Sequence, residues 1–195
     1  MNRNLLSGLA IGVFVGFLGG YFVGAGHSND DAPAIAVPGA TAAAAPAPGM
    51  PPRPDPMVYQ ERIAANQKVV AADPKNEGAW VALGNDYFDL QQAQSAVDAY
   101  AKALALVPNN PDVLTDQGVM YRQLGAFDKA VADFKQASTL NPKHVQSWFN
   151  LGIVYAQDLK NPGAAAKAWN KAIEAAPDSP QAVQARQFLA GLQQK

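Results

Sequence analysis

The strongest constraint on the fold is a pattern about 34 residues long that occurs three times between Glu77 and Asp178. The positions that recur are Trp80, Leu83, Gly84, Tyr87, Ala96, Tyr100, Ala103 and Pro108, then Leu114, Gln117, Gly118, Tyr121, Ala130, Phe134, Ala137 and Pro142, then Trp148, Leu151, Gly152, Tyr155, Ala165, Trp169, Ala172 and Pro177. In the third copy the later positions come one residue late. This many matches in register predict a repeat architecture, in which stacked copies share one core.

Within each copy, the spacing of the large residues predicts two helices. The fourth, seventh and eleventh positions lie on one face of a first helix, and the twentieth, twenty-fourth and twenty-seventh lie on one face of a second. A closing proline ends the second helix, because its ring has no N–H. Each copy is therefore predicted to be a helical hairpin with glycine against alanine at the helix contact. The expected pairs are Gly84 with Ala96, Gly118 with Ala130, and Gly152 with Ala165.

This pattern resembles the tetratricopeptide repeat, or TPR. The resemblance implies an all-α fold, an α-solenoid of three TPR hairpins with N- and C-terminal capping helices. We assign residues 57–195 to this TPR domain, which is preceded by a membrane helix and a linker. Its segments are a capping helix at 57–76, TPR1 at 77–110, TPR2 at 111–144, TPR3 at 145–178, and a C-terminal capping helix at 179–195.

Two positions depart from the family pattern. Gln117 stands where the other copies have leucine, and a buried glutamine needs hydrogen-bond partners. We therefore expect a local hydrogen-bond network or partial exposure there. The third copy has one extra residue within 157–163, which leaves open whether Ala164 or Ala165 is the counterpart of Ala130.

Residues 1–26 are predicted to be a membrane anchor. Leu5 to Gly26 is an uncharged run of 22 residues, about 33 Å as a helix, which matches the hydrocarbon core of a bilayer. Arg3 precedes the run and two aspartates follow it, so the positive-inside rule places the N-terminus in the cytoplasm. The alternative is a signal peptide cleaved after the small residues 23–25.

The predicted membrane helix carries a glycine every fourth residue, which leaves a groove along one face for close packing of another helix. These glycines are Gly8, Gly12, Gly16, Gly20 and Gly24. The alternative is that they serve only a membrane anchor. Residues 27–56 are rich in alanine and proline without an apolar period, which predicts a disordered linker.

Composition argues against several other classes of function. From residue 57 onward the chain has 13 basic and 13 acidic residues, so it lacks the positive charge of a nucleic-acid binder. The chain has no cysteine and two histidines, His27 and His144, which argues against a metal site. No phosphate-binding loop or paired acids indicate catalysis. We expect no enzyme activity and no cofactor, and keep an enzyme only as a remote alternative.

In proteins of this pattern, the first helices of successive repeats line a concave groove that takes an extended peptide or a helix. The resemblance implies a groove here lined by Val81, Asn85, Phe88, Asp89, Thr115, Asp116, Val119, Arg122, Gln146, Phe149, Asn150 and Ile153. Phe88 and Phe149 are expected to be exposed in it. The alternative is that Phe149 and Ile153 pack against the neighbouring repeat or the C-terminal helix.

TPR proteins that bind chaperones hold a C-terminal carboxylate with Lys, Asn, Asn, Lys and Arg. The five corresponding positions here are Val81, Asn85, Asp116, Gln146 and Asn150. Only Asn85 keeps its residue type, and Asp116 would repel a carboxylate. We therefore expect an apolar peptide with a basic or neutral polar group rather than a chaperone tail.

The whole layout, a membrane helix, a linker and a small TPR domain, resembles the TPR subunits of bacterial cytochrome c maturation. Those subunits present apocytochrome tails to the haem ligation machinery. The expected function is a non-catalytic scaffold in the bacterial inner membrane, with the TPR domain in the periplasm and a protein or peptide partner in its groove. Scaffolds of envelope assembly, pili or secretion share this layout and remain alternatives.

Overall fold

A computed structural model describes residues 55–192, which fold into eight α-helices with no strand in this part of the chain. The helices are α1 (Pro56–Ala72), α2 (Glu77–Asp89), α3 (Ala93–Leu106), α4 (Pro111–Gln123), α5 (Phe127–Leu140), α6 (Val145–Ile153), α7 (Pro162–Ala175) and α8 (Pro180–Leu192). The predicted membrane helix, its glycine face and the linker up to residue 54 lie outside the described residues. Between residues 55 and 192, no helix combines the length and apolarity needed to cross a bilayer.

The helices pair along the chain as three hairpins, α2 with α3, α4 with α5, and α6 with α7. Neighbouring hairpins stack because α3 also contacts α4, and α5 also contacts α6. At the two ends, α1 packs on α2, and α8 packs on both α7 and α6. The predicted all-α solenoid is therefore confirmed for the described residues, with one additional helix at each end.

Inside every hairpin, a glycine of the first helix lies against an aromatic ring of the second. The pairs are Gly84 with Tyr100, Gly118 with Phe134, and Gly152 with Trp169. A Cβ atom added to any of these glycines would overlap the ring. The alanines predicted to face the glycines are fully buried, and the ring is the neighbour nearest to each added Cβ. The absence of a side chain lets the ring fit between the two backbones.

Short-range signals in the sequence begin and end these helices. The N-caps Asn76, Asn110 and Asn161 each accept a hydrogen bond from the backbone N–H three residues later, which satisfies one of the free donors of the helix. Pro108, Pro142 and Pro177 each lie two residues beyond the last residue of α3, α5 and α7. The closing prolines therefore end the second helices, as the repeat pattern predicts.

The extra residue of the third repeat is absorbed in a π-helical turn, Val154–Asp158, that follows α6. In a π-helix the hydrogen bond spans five residues, so such a turn holds one more residue than an α-helical turn. The Leu159 N–H accordingly donates to the Val154 carbonyl at 2.9 Å. Ala165 is fully buried and Ala164 is only partly buried, so Ala165 is the counterpart of Ala130.

Gln117, the polar residue at an apolar position of the repeat, is 5% exposed. Its side-chain amide donates to the Val97 carbonyl at 3.2 Å, a contact between the second and first hairpins. The expected local hydrogen bond is therefore confirmed. Because the buried amide has a partner, it adds a directional contact between repeats without an unsatisfied donor.

The glycine contacts predict the effect of a single added methyl group. Gly84→Ala and Gly152→Ala should each lower the free energy of unfolding by about 1–3 kcal/mol, because the methyl group overpacks the ring contact. Gly191→Ala in α8 is the control, since nothing lies within 4 Å of its added Cβ, and it should be neutral or stabilising by about 0.5–1 kcal/mol. Urea unfolding measures all three. If Gly84→Ala and Gly191→Ala have the same effect, the ring contact is not tight.

Candidate peptide-binding groove

The predicted groove residues all lie on the first helices, α2, α4 and α6, but the structure gives them different environments. Asn85, Asp89 and Gln146 are exposed. The partly buried members are Val81, Phe88, Asp116, Val119, Arg122, Asn150 and Ile153. Thr115 and Phe149 are buried. The groove residues that a ligand can reach are therefore those of the first two groups.

Phe149 belongs to the core, which corrects its predicted exposure in the groove. It is 8% exposed, and the Phe188 ring of α8 stacks on it with ring centroids 6.0 Å apart. Phe188 also packs against Trp169 at 5.1 Å, and Ile153 packs on the same cluster. The physical reason is that α8 packs on α6, so Phe149 has no free face and Ile153 keeps only part of its surface.

Thr115 is also corrected, because it is 1% exposed and bonded inside the fold. Its hydroxyl donates to the Pro111 carbonyl at 2.7 Å and lies 3.4 Å from His144 Nδ1. The other ring nitrogen, His144 Nε2, lies 2.9 Å from Asp112 Oδ1. These contacts join the start of α4 to the start of α6, so Thr115 serves the contact between repeats and not a ligand.

Arg122 is held by residues of the π-helical turn. Its Nε donates to Asp158 Oδ2 at 2.5 Å, and its Nη2 donates to Gln157 Oε1 at 2.9 Å. The Asp158 side chain is 16% exposed, and that of Arg122 is 35% exposed. The positive charge predicted for the groove is therefore balanced by a partner in the next repeat.

A cleft of about 280 Å³ opens among predicted groove residues of α2 and α4. It is lined by Asn85, Phe88, Asp89, Tyr100 and Asp116. The Tyr100 hydroxyl donates to Asn85 Oδ1 at 2.8 Å, which fixes one wall. Burial raises the pKa of Asp116 to about 6, and the charges of Asp112 and Asp89 add to the rise. The cleft is thus part aromatic and part acidic.

Two larger cavities, of about 450 and 470 Å³, lie beside the second helices of the third and first repeats. Trp80 and Tyr87 line one, and their counterparts Trp148 and Tyr155 line the other. Ala168 lines the first cavity and Ala99 lines the second. Both alanines are the counterparts of Asp133 in the second repeat. Because these aromatic residues recur as part of the repeat core, we attribute both cavities to packing and not to a ligand.

The sequence did not single out two aspartates away from the groove, the buried Asp86 and the partly buried Asp133. Asp86 is fully buried with its Oδ1 2.7 Å from Arg62 Nη2 of α1. Burial raises the pKa of Asp86, and the charge of Arg62 opposes the rise. Burial likewise raises the pKa of Asp133 to about 7, against the charge of Lys129. Alignment of the three repeats carries the signal, since these aspartates stand in columns that are otherwise apolar.

No cluster of three potential metal ligands occurs between residues 55 and 192. Of the five positions that hold a carboxylate in chaperone-binding TPR proteins, Val81 and Asp116 offer no donor to a carboxylate. Asn85, which keeps its residue type, already accepts the Tyr100 hydroxyl. The Asn85 amide N–H2 group remains a donor, but none of the five positions carries a cation, so the groove lacks the positive charges of that carboxylate clamp.

Comparison with known proteins agrees with this geometry. Family models for the tetratricopeptide repeat match residues 78–110 and 145–179, and a TPR repeat model matches residues 118–158. These matches confirm the chain as a tetratricopeptide repeat protein. TPR domains are typically scaffolds for protein interaction.

Among solved structures, YrrB, described as a TPR protein with an unusual peptide-binding site, shares 25% identity at a TM-score of 0.62, over 67% of each chain. MamA (65% of this chain, 74% of that one) and PilF of Pseudomonas aeruginosa (71% and 63%) each share 24% identity at a TM-score of 0.62. The likeness to MamA and PilF shows the fold alone.

Curated relatives match over about half of this chain. The co-chaperone sgt12 of Aspergillus fumigatus is 32% identical over 92 residues, which is 47% of this chain and 27% of that protein. The human protein O-mannosyl-transferase TMTC1 is 33% identical over 98 residues, which is 48% of this chain and 11% of that protein. The chain thus spans only a small part of the length of these relatives.

The raised pKa values predict that the domain becomes more stable as the pH falls. An unfolded aspartate titrates near pH 3.9, so between about pH 4 and pH 7 the folded chain holds more protons at Asp116 and Asp133 than the unfolded chain does. The contribution of these two groups to the free energy of unfolding should therefore be largest below about pH 4 and decrease as the pH rises through 6 and 7. Urea titrations across this range measure the trend.

Asp133→Asn should remove the part of this pH dependence that Asp133 contributes between about pH 4 and pH 7. The control is Asp128→Asn, an exposed position on the same helix, which should leave the curve unchanged. Stability that rises with pH between 5 and 8, or an Asp133→Asn curve parallel to the wild type, would contradict the assignment of a proton to Asp133.

Proposed function

We propose that this chain is a non-catalytic scaffold that binds a protein or peptide segment in the groove formed by α2, α4 and α6. The cleft among Asn85, Phe88, Asp89, Tyr100 and Asp116 is the observation that carries the proposal. It combines an aromatic wall with polar groups, of which Asn85 and Asp89 are exposed. Such a surface provides both apolar contact and orientation for a bound segment.

The relatives support binding rather than catalysis. The sgt12 relative is a co-chaperone and YrrB is described as having a peptide-binding site, which favours a peptide ligand for this chain too. The match to TMTC1 covers 11% of that transferase. The Thr115 hydroxyl does lie beside His144, but it is buried and donates to the Pro111 carbonyl, so it is not available to a substrate as a nucleophile. The groove of α2 and α4 is thus best explained as a binding surface.

Membrane anchoring through residues 5–26 is part of the proposal. It rests on the uncharged run of 22 residues and on the charges that flank it. The anchor would place the N-terminus in the cytoplasm and the TPR domain in the periplasm of the bacterial inner membrane. The glycine face, Gly8 to Gly24, would then offer a surface for close packing of a second membrane helix.

The pathway that we favour is cytochrome c maturation, because a membrane helix, a linker and a small TPR domain form the layout of its TPR subunits. In this role the groove would hold a segment of an apocytochrome near the membrane. Envelope assembly, pilus assembly and secretion are the alternatives, since scaffolds of the same layout serve them.

Site-specific cross-linking tests the groove. A photo-cross-linking residue replaces Gln146 on α6 in the full chain, and the matched control carries it in place of Lys102 on α3; both positions are exposed. Peptides selected from a displayed random library should cross-link from position 146 and not from position 102. Cross-links of equal yield from both positions, or a library that yields no binding peptide, would overturn the proposed binding function.

Terminal sequencing of the chain recovered from membranes tests the anchor. We expect the intact N-terminus at Met1 and a protease-sensitive linker on the far side of the membrane. A mature chain that begins near Gly26 or His27 would show that the segment is a cleaved signal peptide. In that case the groove proposal would stand and the membrane proposal would fall.

A further inference from the structure

Some charged side chains on the groove side have a partner within the fold, and others have none. The groove residue Arg122 has its partners, Asp158 and Gln157, and His144 lies against Asp112. Asp89 and Asp116 form no ion pair or side-chain hydrogen bond with any of residues 55–192. The two carboxyl groups that line the cleft, those of Asp89 and Asp116, therefore have no cationic partner among residues 55–192.

The charges of these two residues disfavour each other. The pKa of Asp116 is raised by burial first, then by the charges of Asp112 and Asp89. Burial raises the pKa of the Tyr100 hydroxyl in the same wall, and the charges of Asp116 and Asp89 raise it further. A positive charge that enters the cleft would relieve this repulsion, whereas an anion would increase it.

The shape of the cleft also suits a long side chain with a charge at its end. Phe88 and the Tyr100 ring provide apolar walls, and Asn85 and the two carboxyl groups provide acceptors. Aliphatic stems pack well on aromatic rings, and a cation over an aromatic face gains further attraction. The volume of about 280 Å³ has room for one such side chain and not for a folded element.

We infer that the cleft between α2 and α4 binds a lysine or arginine side chain of the partner segment, with Asp89 and Asp116 around the charge and Phe88 along the stem. The inference rests on the proposed peptide-binding function and specifies its ligand. It makes this groove the opposite of a carboxylate clamp, since acids here occupy a face that receives an anion in the chaperone-binding relatives. The competing account is that the acids only keep the groove hydrated.

The test uses the peptides selected on the full chain and compares each with a version whose lysine is acetylated or whose arginine is replaced by citrulline. These changes remove the charge and keep the length of the side chain. We expect the uncharged versions to bind about tenfold more weakly, since the pairing of the ligand's charge with Asp89 and the partly buried Asp116 is lost.

The protein side of the test is Asp89→Asn with Asp116→Asn, and the matched control is Asp128→Asn on α5, outside the cleft. The double variant should bind the charged peptide about tenfold more weakly and the uncharged peptide as well as the wild type does. Its melting temperature should be unchanged or higher, because two repelling carboxyl groups are gone. The loss of binding is then separated from any loss of fold.

The outcomes distinguish the two proposals. If peptides bind the groove and the uncharged versions bind equally well, the cation site is wrong and the peptide-binding function stands. The cation site is also wrong if the selected peptides lack basic residues, or if Asp128→Asn weakens binding as much as the double variant. If no peptide binds, both proposals fail.

Discussion

The contact between a glycine and an aromatic ring inside each hairpin is the interaction on which the rest of this structure depends. Gly84, Gly118 and Gly152 leave room for the ring of the second helix between two closely packed backbones. Because the ring fixes how far apart the helices lie, it also fixes the face that each first helix turns away from its partner. That face forms the groove, so the packing inside the hairpins determines the geometry of binding.

Much of the fold is predictable from the sequence because each structural position of the repeat occurs three times in the chain. The equivalent positions of the three aligned repeats predicted the hairpins, the closing prolines and the hydrogen bond of Gln117. They also contain the signal for the buried Asp86, which stands where the other repeats have Met120 and Val154. A charge in an apolar column indicates either a buried ion pair or a shifted pKa, and Asp86 has both.

The candidate site was harder to predict, because it depends on what differs between repeats. Phe149 occupies a groove position of the repeat, yet the Phe188 ring of α8 stacks on it. Arg122 has its charge balanced by Asp158, which the π-helical turn brings into reach. Neither contact follows from the repeat spacing. The extra residue of the third repeat was visible in the sequence, but a loop and a helical turn absorb an insertion equally well.

These particular contacts give the groove its acidic character. Once Arg122 and His144 lie against acids of the fold, the carboxyl groups of the cleft have no partner among residues 55–192. Burial, together with the charges of Asp112 and Asp89, raises the pKa of Asp116, so its ionised form lowers stability near neutral pH. Binding surfaces commonly retain such strained or unsatisfied groups, because the ligand relieves them.

Backbone amide chemical shifts of the full chain, titrated with a selected peptide, test the central claim most directly. Binding in the groove predicts that the largest changes occur in α2 and α4, around Asn85, Asp89 and Asp116. The second helices, with the larger cavities beside Trp80 and Trp148, should change little. If instead the largest changes occur around Lys102 and Lys171, beside those cavities, the ligand binds the opposite side of the hairpins and the groove account is contradicted.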